Sequence, residues 1–313
     1  MKVQRPIFVV GSFVVACSVK VPRLPLAGET LRASGFHLEA GGKGFNCAVA
    51  LGRLGEHVDG VLMTGDDLFA GLAQAALDRE GLAVSMLLSV AGQTGAGVGL
   101  IQPDGENVIA VFAGANDSMA PEHIRGAGAR IAAASMVIGQ FEIGDAPLLA
   151  AFAKARKSGA ITVINPSPFR PIDPQILRLT DMIVMNAVEA EALARMMDLD
   201  RSEALSDWQA RLAEQLIDKG LNMVVITASA KGARAWLRDG QLLDQPAFDV
   251  VAVDGIGAGD AFLAGLCSAL NRGETAASAL CFGAECGALV ASRHGVLDAL
   301  PFRHDVGFLQ PKT

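Results

Sequence analysis

Asp181-Met182-Ile183-Val184-Met185-Asn186 sets four apolar residues between polar ends. The run is short and unbroken, as in a strand whose two faces are both covered. Residues 6–11, 135–141, 160–165 and 222–227 repeat the pattern. Strands of this kind build parallel sheets. Between them, residues 145–158 and 202–219 have helical spacing with polar faces, which gives βαβ alternation. The expected fold class is α/β: a doubly wound, mostly parallel sheet with helices on both faces, its ligands lying beyond the carboxyl ends of the strands.

Two places break the alternation. Residues 14–36 scatter prolines and glycines with no room for a long helix, and residues 95–112 read as two strands joined at Pro103-Asp104-Gly105-Glu106, a good turn sequence. Together, segments 13–38 and 95–113 predict a small β-sheet lid inside one domain spanning 1–313. A sheet of few strands covers a site well but hides its own apolar face poorly, so a homodimer through the lid is expected. The alternative is a hairpin that merely extends the main sheet.

At 51% hydrophobic residues the 313-residue chain has ample core material, and a net charge of −7 gives no nucleic-acid-binding surface. A small-molecule partner fits better. Five cysteines, an odd number without CxxC spacing, and an apolar run with no signal peptide before it point to a reducing cytoplasm. Cys281 and Cys286, five apart and without a nearby histidine, read as packing rather than metal ligands. Residues 81–103 lack charge and are long enough to cross a bilayer, yet they hold five glycines, Gln93, Thr94 and Gln102. Two consecutive strands are the better reading, and no membrane segment is expected.

Chemistry concentrates where a strand-like run ends in Val253-Asp254-Gly255-Ile256-Gly257-Ala258-Gly259-Asp260-Ala261-Phe262 and a helix begins. Three glycines strip side chains from a helix start, where backbone N–H groups lack intrahelical partners. Those groups and the helix dipole favour an anion. Asp260 is repelled by one unless it takes a proton from something nearby. A Gly-rich loop with an acid favoured near a helix start explains the same residues. A second cluster, Gly41-Gly42-Lys43-Gly44-Phe45-Asn46, opens another helix and projects Lys43 and Asn46, three apart, from its first turn. A cation and an amide there suit a polyhydroxylated substrate near a phosphate; a surface lysine on a Gly-capped helix is the plainer alternative.

In these two segments the chain resembles the ribokinase-like (PfkB) carbohydrate kinases. Residues 41–55 resemble the family's first signature and residues 254–265 its second. Gly114-Ala115-Asn116, Asn165-Pro166-Ser167-Pro168, Asn186-Ala187-Val188-Glu189 and Ile226-Thr227-Ala228-Ser229-Ala230-Lys231-Gly232 are further matches, so the resemblance covers nearly the whole chain. It implies an ATP- and Mg2+-dependent kinase acting on a sugar or sugar derivative. By resemblance Asp260 is the general base, and the Gly257, Ala258 and Gly259 amides form the anion hole. Gly42, Lys43, Asn46 and Glu142 line the sugar side. Asn186 and Glu189 place magnesium and phosphates mainly through water, and Thr227, Ser229 and Gly232 hold the nucleotide. Asp254, the Ile256 carbonyl and the segment around Arg293 and Gly295 match a K+ site; a helix-capping Asp254 in a tight loop is the alternative.

One departure concerns the acceptor. Family members commonly read Gly-Ser-x-Asn-x-Asp after the first strand, with the acid gripping sugar hydroxyls, whereas this chain reads Gly11-Ser12-Phe13-Val14-Val15-Ala16. Losing two polar partners changes what a hydroxyl-reading site accepts. Ribose is therefore not the expected substrate; a deoxygenated sugar, a larger apolar substituent or a nucleoside fits the gap. A nucleoside kinase and a non-catalytic sugar-binding regulatory module remain the alternatives. Neither GxGxxG after the first strand nor a GxxxxGK[ST] motif is present.

Overall fold

A computed structural model describes residues 5–103, 107–199 and 205–312. The first half runs β1 (Ile7–Val10), β2 (Val14–Lys20), β3 (Gly35–Gly41), α1 (Lys43–Arg53), β4 (Val58–Thr64), α2 (Leu68–Arg79), β5 (Leu87–Ser89), β6 (Gly95–Ile101) and β7 (Asn107–Phe112). Next come α3 (Pro121–Gly126), α4 (Gly128–Ala133), β8 (Met136–Gln140), α5 (Asp145–Lys157), β9 (Ile161–Asn165), α6 (Pro174–Leu179), β10 (Met182–Asn186) and α7 (Ala187–Met196). The chain ends with α8 (Leu205–Asp218), β11 (Met223–Thr227), β12 (Ala233–Leu237), β13 (Leu242–Gln245), α9 (Ala258–Asn271) and α10 (Ala276–Ala291).

Among the described residues the main sheet has nine strands in the order β13-β12-β11-β10-β9-β8-β1-β4-β5. All neighbours from β5 to β11 run parallel, and only β12 and β13 are antiparallel additions at one edge. Both faces are covered. Along β1, Ile7 and Val9 enter one apolar cluster while Phe8 and Val10 enter the other, and β8 and β11 split their residues the same way. The unbroken apolar runs follow from this: alternate side chains point to opposite faces, and neither face meets water.

The small sheet is separate from the main one, with order β3-β2-β6-β7. β3 continues to Gly41, past the expected limit at 38, because its last residues pair with the first residues of β2. Of the turn expected at 103–106 only Pro103 lies among the described residues, as is true of the 205–218 part of the helix expected from residue 202.

One expectation is corrected. The run before Asp254 is not a strand: Val253 and Asp254 donate their N–H groups to the Ala291 carbonyl at the end of α10, at 2.7 and 3.2 Å. Val251 and Val253 are exposed, so the β-branched spacing there reflects an extended segment docked on a helix end rather than a sheet member. No helix among the described residues is long and apolar enough to cross a membrane.

Candidate active site

The chain leaves β1 for β4 on one side and later returns to β8 on the other, so the crevice between β1 and β8 is the topological switch point. Helix α1 starts directly above it. A Cβ on Gly44 would stand 2.6 Å from the Gly11 carbonyl carbon and the Ser12 nitrogen, so only glycine lets α1 approach the end of β1 this closely. Ser12, fully buried, accepts the Phe45 N–H at its carbonyl (3.0 Å) and donates its hydroxyl to Glu142 Oε2. That same oxygen accepts the Lys43 backbone N–H at 2.9 Å.

Asp260 lies in the first turn of α9, buried. Asn46 Nδ2 donates to its Oδ2 at 2.9 Å, and Lys43 Nζ stands 3.9 Å from its Oδ1. The structure therefore gathers Lys43, Asn46, Glu142 and Asp260, expected from distant parts of the sequence, in one place. Burial raises the Asp260 pKa from its ordinary value against the opposing pull of the Lys43 charge and the Asn46 hydrogen bond, and Glu142 adds to the rise. For Lys43 burial acts downward, but Asp260, Glu142 and Glu189 outweigh it and its pKa is raised. The pair is asymmetric because one ammonium serves several carboxylates.

Gly257 caps α9 with φ of 82°, a left-handed backbone that favours glycine. The amides of Gly257, Gly259 and Asp260 have no acceptor among the described residues, whereas the Ala258 N–H leans toward the Gly255 carbonyl at 3.3 Å. Of the three expected anion-hole amides, Ala258 is thus the partly committed one. Nothing stands within 4 Å of a Cβ built on Gly255 or Gly259, so the space beside the turn is open.

Asn186 and Glu189 form a reciprocal capping box at α7: each backbone N–H is held by the other's side chain at 2.9 Å. Asn186 Nδ2 and Glu189 Oε1 are left over: the amide can donate to a phosphate oxygen, and the carboxylate oxygen can accept from the water of a hydrated cation. Glu189 is close enough to Lys43 to raise its pKa. Thr227 pairs with Asn186 across the sheet; Ser229 and Gly232 lie beyond it in the turn to β12, with φ of 48° and 89°. Asp254 Oδ1 accepts the Ile256 N–H at 3.0 Å, leaving Oδ2 and the Ile256 carbonyl as oxygens for a hard monovalent cation. The Arg293 guanidinium turns instead to the Ala299 carbonyl and Asp305, and Gly295 follows with φ of 84°.

Asn116 anchors the small sheet. Its Oδ1 accepts the Phe13 N–H, and its Nδ2 donates to the Phe13 and Ala113 carbonyls, tying the roots of β2 and β7 together. Val14 and Ala16 share a face with Gly41, whose Cβ would lie 3.8–3.9 Å from their side chains, and with Glu39. Asp298 and Asp254 both act on the Glu39 carboxyl. That face is therefore turned toward the body of the protein.

Three roles escaped the sequence: Ser12 on Glu142, Asn116 at the root of the small sheet, and Gln140. Gln140 Nε2 donates to the Lys43 carbonyl at 3.3 Å, while its Oε1 and the Asn46 Oδ1 are buried with no partner. A polar side chain at the carboxyl end of an otherwise apolar strand was the available signal for Gln140.

The model of the pfkB family carbohydrate kinase matches residues 4–303. A ribokinase of Haemophilus influenzae is 30% identical, covering 96% of this chain and 97% of its own. A deoxyribokinase of Salmonella typhi is 33% identical over 82% of this chain and 83% of its own. The structure of Arabidopsis thaliana ribokinase complexed with ribose and ATP superposes with a TM-score of 0.86 at 26% identity, covering 97% of this chain and 98% of that one. With the two signature segments meeting at Lys43, Asn46 and Asp260 and the match covering residues 4–303, the chain belongs to the pfkB family of carbohydrate kinases.

Proposed function

We propose that this kinase moves the γ-phosphoryl group of ATP to a hydroxyl of a sugar-like acceptor, with Asp260 as general base. The observation that carries the reading is the inequality of the two Asp260 oxygens: Asn46 holds Oδ2 at 2.9 Å, while Lys43 stays at 3.9 Å from Oδ1, outside hydrogen-bond reach. Oδ1 is then the oxygen that receives the acceptor proton. The freed alkoxide attacks the γ-phosphorus, the bond to the bridging oxygen breaks, and ADP leaves with that electron pair. The open amides of Gly257 and Gly259, with Ala258 less free, face the charge that develops on the transferring group. Thr227, Ser229 and Gly232 hold the nucleotide. Magnesium, placed through water by Asn186 and Glu189, supplies charge neutralisation on the phosphates when bound.

The acceptor presents hydroxyls to Glu142 and Asp260, with Lys43 and Asn46 beside them, and an unhydroxylated side to Val14 and Ala16. A deoxygenated sugar suits this division better than ribose, and a deoxyribokinase among the relatives supports it. An ATP-consumption screen over ribose, deoxyribose, other sugars, sugar acids and nucleosides tests it. Ribose turned over as efficiently as every deoxygenated candidate would defeat the substrate reading. In the same assay Asp260→Asn keeps nucleotide binding and loses about 10²- to 10⁴-fold in turnover; near-normal turnover removes Asp260 as base.

Asp254 and the Ile256 carbonyl bind potassium in this reading, and replacing K+ by a large organic cation lowers activity; indifference to the exchange leaves Asp254 as a loop cap only. The small sheet also pairs two copies of the chain, through the exposed apolar residues Phe36, Leu38, Val98, Val108 and Phe112 on the face opposite Val14 and Ala16.

A further inference from the structure

We infer that Ser12 is a positioning residue for the acceptor, acting through Glu142; the inference rests on the reading of Glu142 as part of the acceptor pocket. Ser12 is fully buried and offers no surface to a ligand. Every bond it makes leads into the crevice. Its carbonyl accepts the Phe45 N–H at 3.0 Å, its hydroxyl donates to Glu142 Oε2, and the Gly44 N–H points to that hydroxyl from 3.5 Å.

Glu142 Oε2 thereby receives two donors, the Ser12 hydroxyl and the Lys43 backbone N–H at 2.9 Å. An ionised carboxylate has about four acceptor directions, so two bonds on one oxygen fix its plane and leave Oε1 for an acceptor hydroxyl. The half-occupied carboxylate then acts as a directed acceptor rather than a freely rotating charge. Its charge also acts on both Lys43 and Asp260, which places the carboxylate beside them in the crevice. No other side chain donates to Glu142 among the described residues. Without the Ser12 hydroxyl, Oε2 keeps a single backbone donor from Lys43, and the carboxylate is free to turn about that bond.

The consequence separates binding from turnover. A misdirected Glu142 weakens the grip on the acceptor, while Asp260, pinned by Asn46, keeps its place. The nucleotide side shares no hydrogen bond with Ser12. The loss therefore falls on the acceptor KM.

The test uses the full chain with Ser12→Ala, Ser12→Cys, Glu142→Ala and the Ser12→Ala/Glu142→Ala double variant. Acceptor KM, ATP KM and kcat are measured with deoxyribose or ribose, whichever the parent enzyme turns over faster. Cysteine keeps nearly the same volume with a weaker donor, so it reports even where alanine unsettles the fold. Ser12→Ala is expected to raise the acceptor KM about tenfold or more, as loss of a hydrogen bond to a charged group does. ATP KM stays within about twofold, Ser12→Cys falls between, and the double variant is no worse than Glu142→Ala alone. An unchanged acceptor KM in both serine variants beside an impaired Glu142→Ala overturns the inference alone. Multiplying effects in the double variant overturn it too, because Ser12 then acts elsewhere. A Glu142→Ala enzyme with unchanged acceptor KM overturns the acceptor-pocket reading together with everything built on it.

Discussion

Lys43 and Asp260 define the residue scale because each carries a shifted proton affinity with a nameable cause. Burial raises the Asp260 pKa and Lys43 opposes the rise. A base works deprotonated, so in the role proposed for Asp260 activity is expected to fall as pH drops through that raised value. Removing the opposing cation raises it further. Lys43→Met is therefore expected to move the acid limb of the kcat/KM profile about one pH unit higher, as loss of a nearby opposite charge does; a limb that stays in place in a pH series would separate the limb from Asp260. The sequence made this pair legible as two polar residues at two Gly-rich helix starts, but not as a pair. Nothing in the order of residues says that positions 43 and 260 meet; only the packing of α1 against α9 brings their first turns together. Ser12 and Gln140 were harder still, since a buried polar residue at a strand end looks the same in sequence whether it holds a distant loop or a group in the crevice.

Among the elements, α1 is held by a contact that leaves no room for a side chain. Its second residue crosses the end of β1 so closely that a Cβ on Gly44 would sit 2.6 Å from backbone atoms, where no flexible group can give way. Gly44→Ala is expected to cost about 1–3 kcal/mol of stability, in the range of overpacked cores, and to displace Lys43 and Asn46 from Asp260. Denaturant unfolding checks the first effect and turnover the second; wild-type values for both would mean that the crossing is looser than drawn. Strands β1, β8, β9, β10 and β11 were legible because parallel strands buried on both faces carry unbroken apolar runs. The run before Asp254 misled for the same reason: β-branched residues suit any extended backbone, and here the partner is the end of α10 rather than a strand. The edge strands β12 and β13 had no such signature, since they are antiparallel additions with partly exposed faces.

On the scale of the whole molecule, the small sheet presents two unlike faces. Pairing register puts Phe36, Val19, Leu100 and Val108 in one row and Leu38, Cys17, Val98 and Ala110 in the next, an apolar face without a charge in either row. Phe36 and Phe112 are 70% and 53% exposed, too much aromatic surface for a face meant for water. Phe36→Asp/Phe112→Asp is expected to shift the protein to monomers in sedimentation or light scattering, with the melting temperature of the main body little changed; a parent protein that is monomeric at micromolar concentration would rule out the pairing. The opposite face, with Val14, Ala16 and Glu39, turns toward the body of the protein. If the proposed pairing holds, a sheet fixed to its twin on one face loses freedom to swing on the other. In the proposed pair, access to the crevice comes from the two large bodies tilting away from a shared central slab, so the heavier part of each subunit is the moving door and the lighter part is the frame.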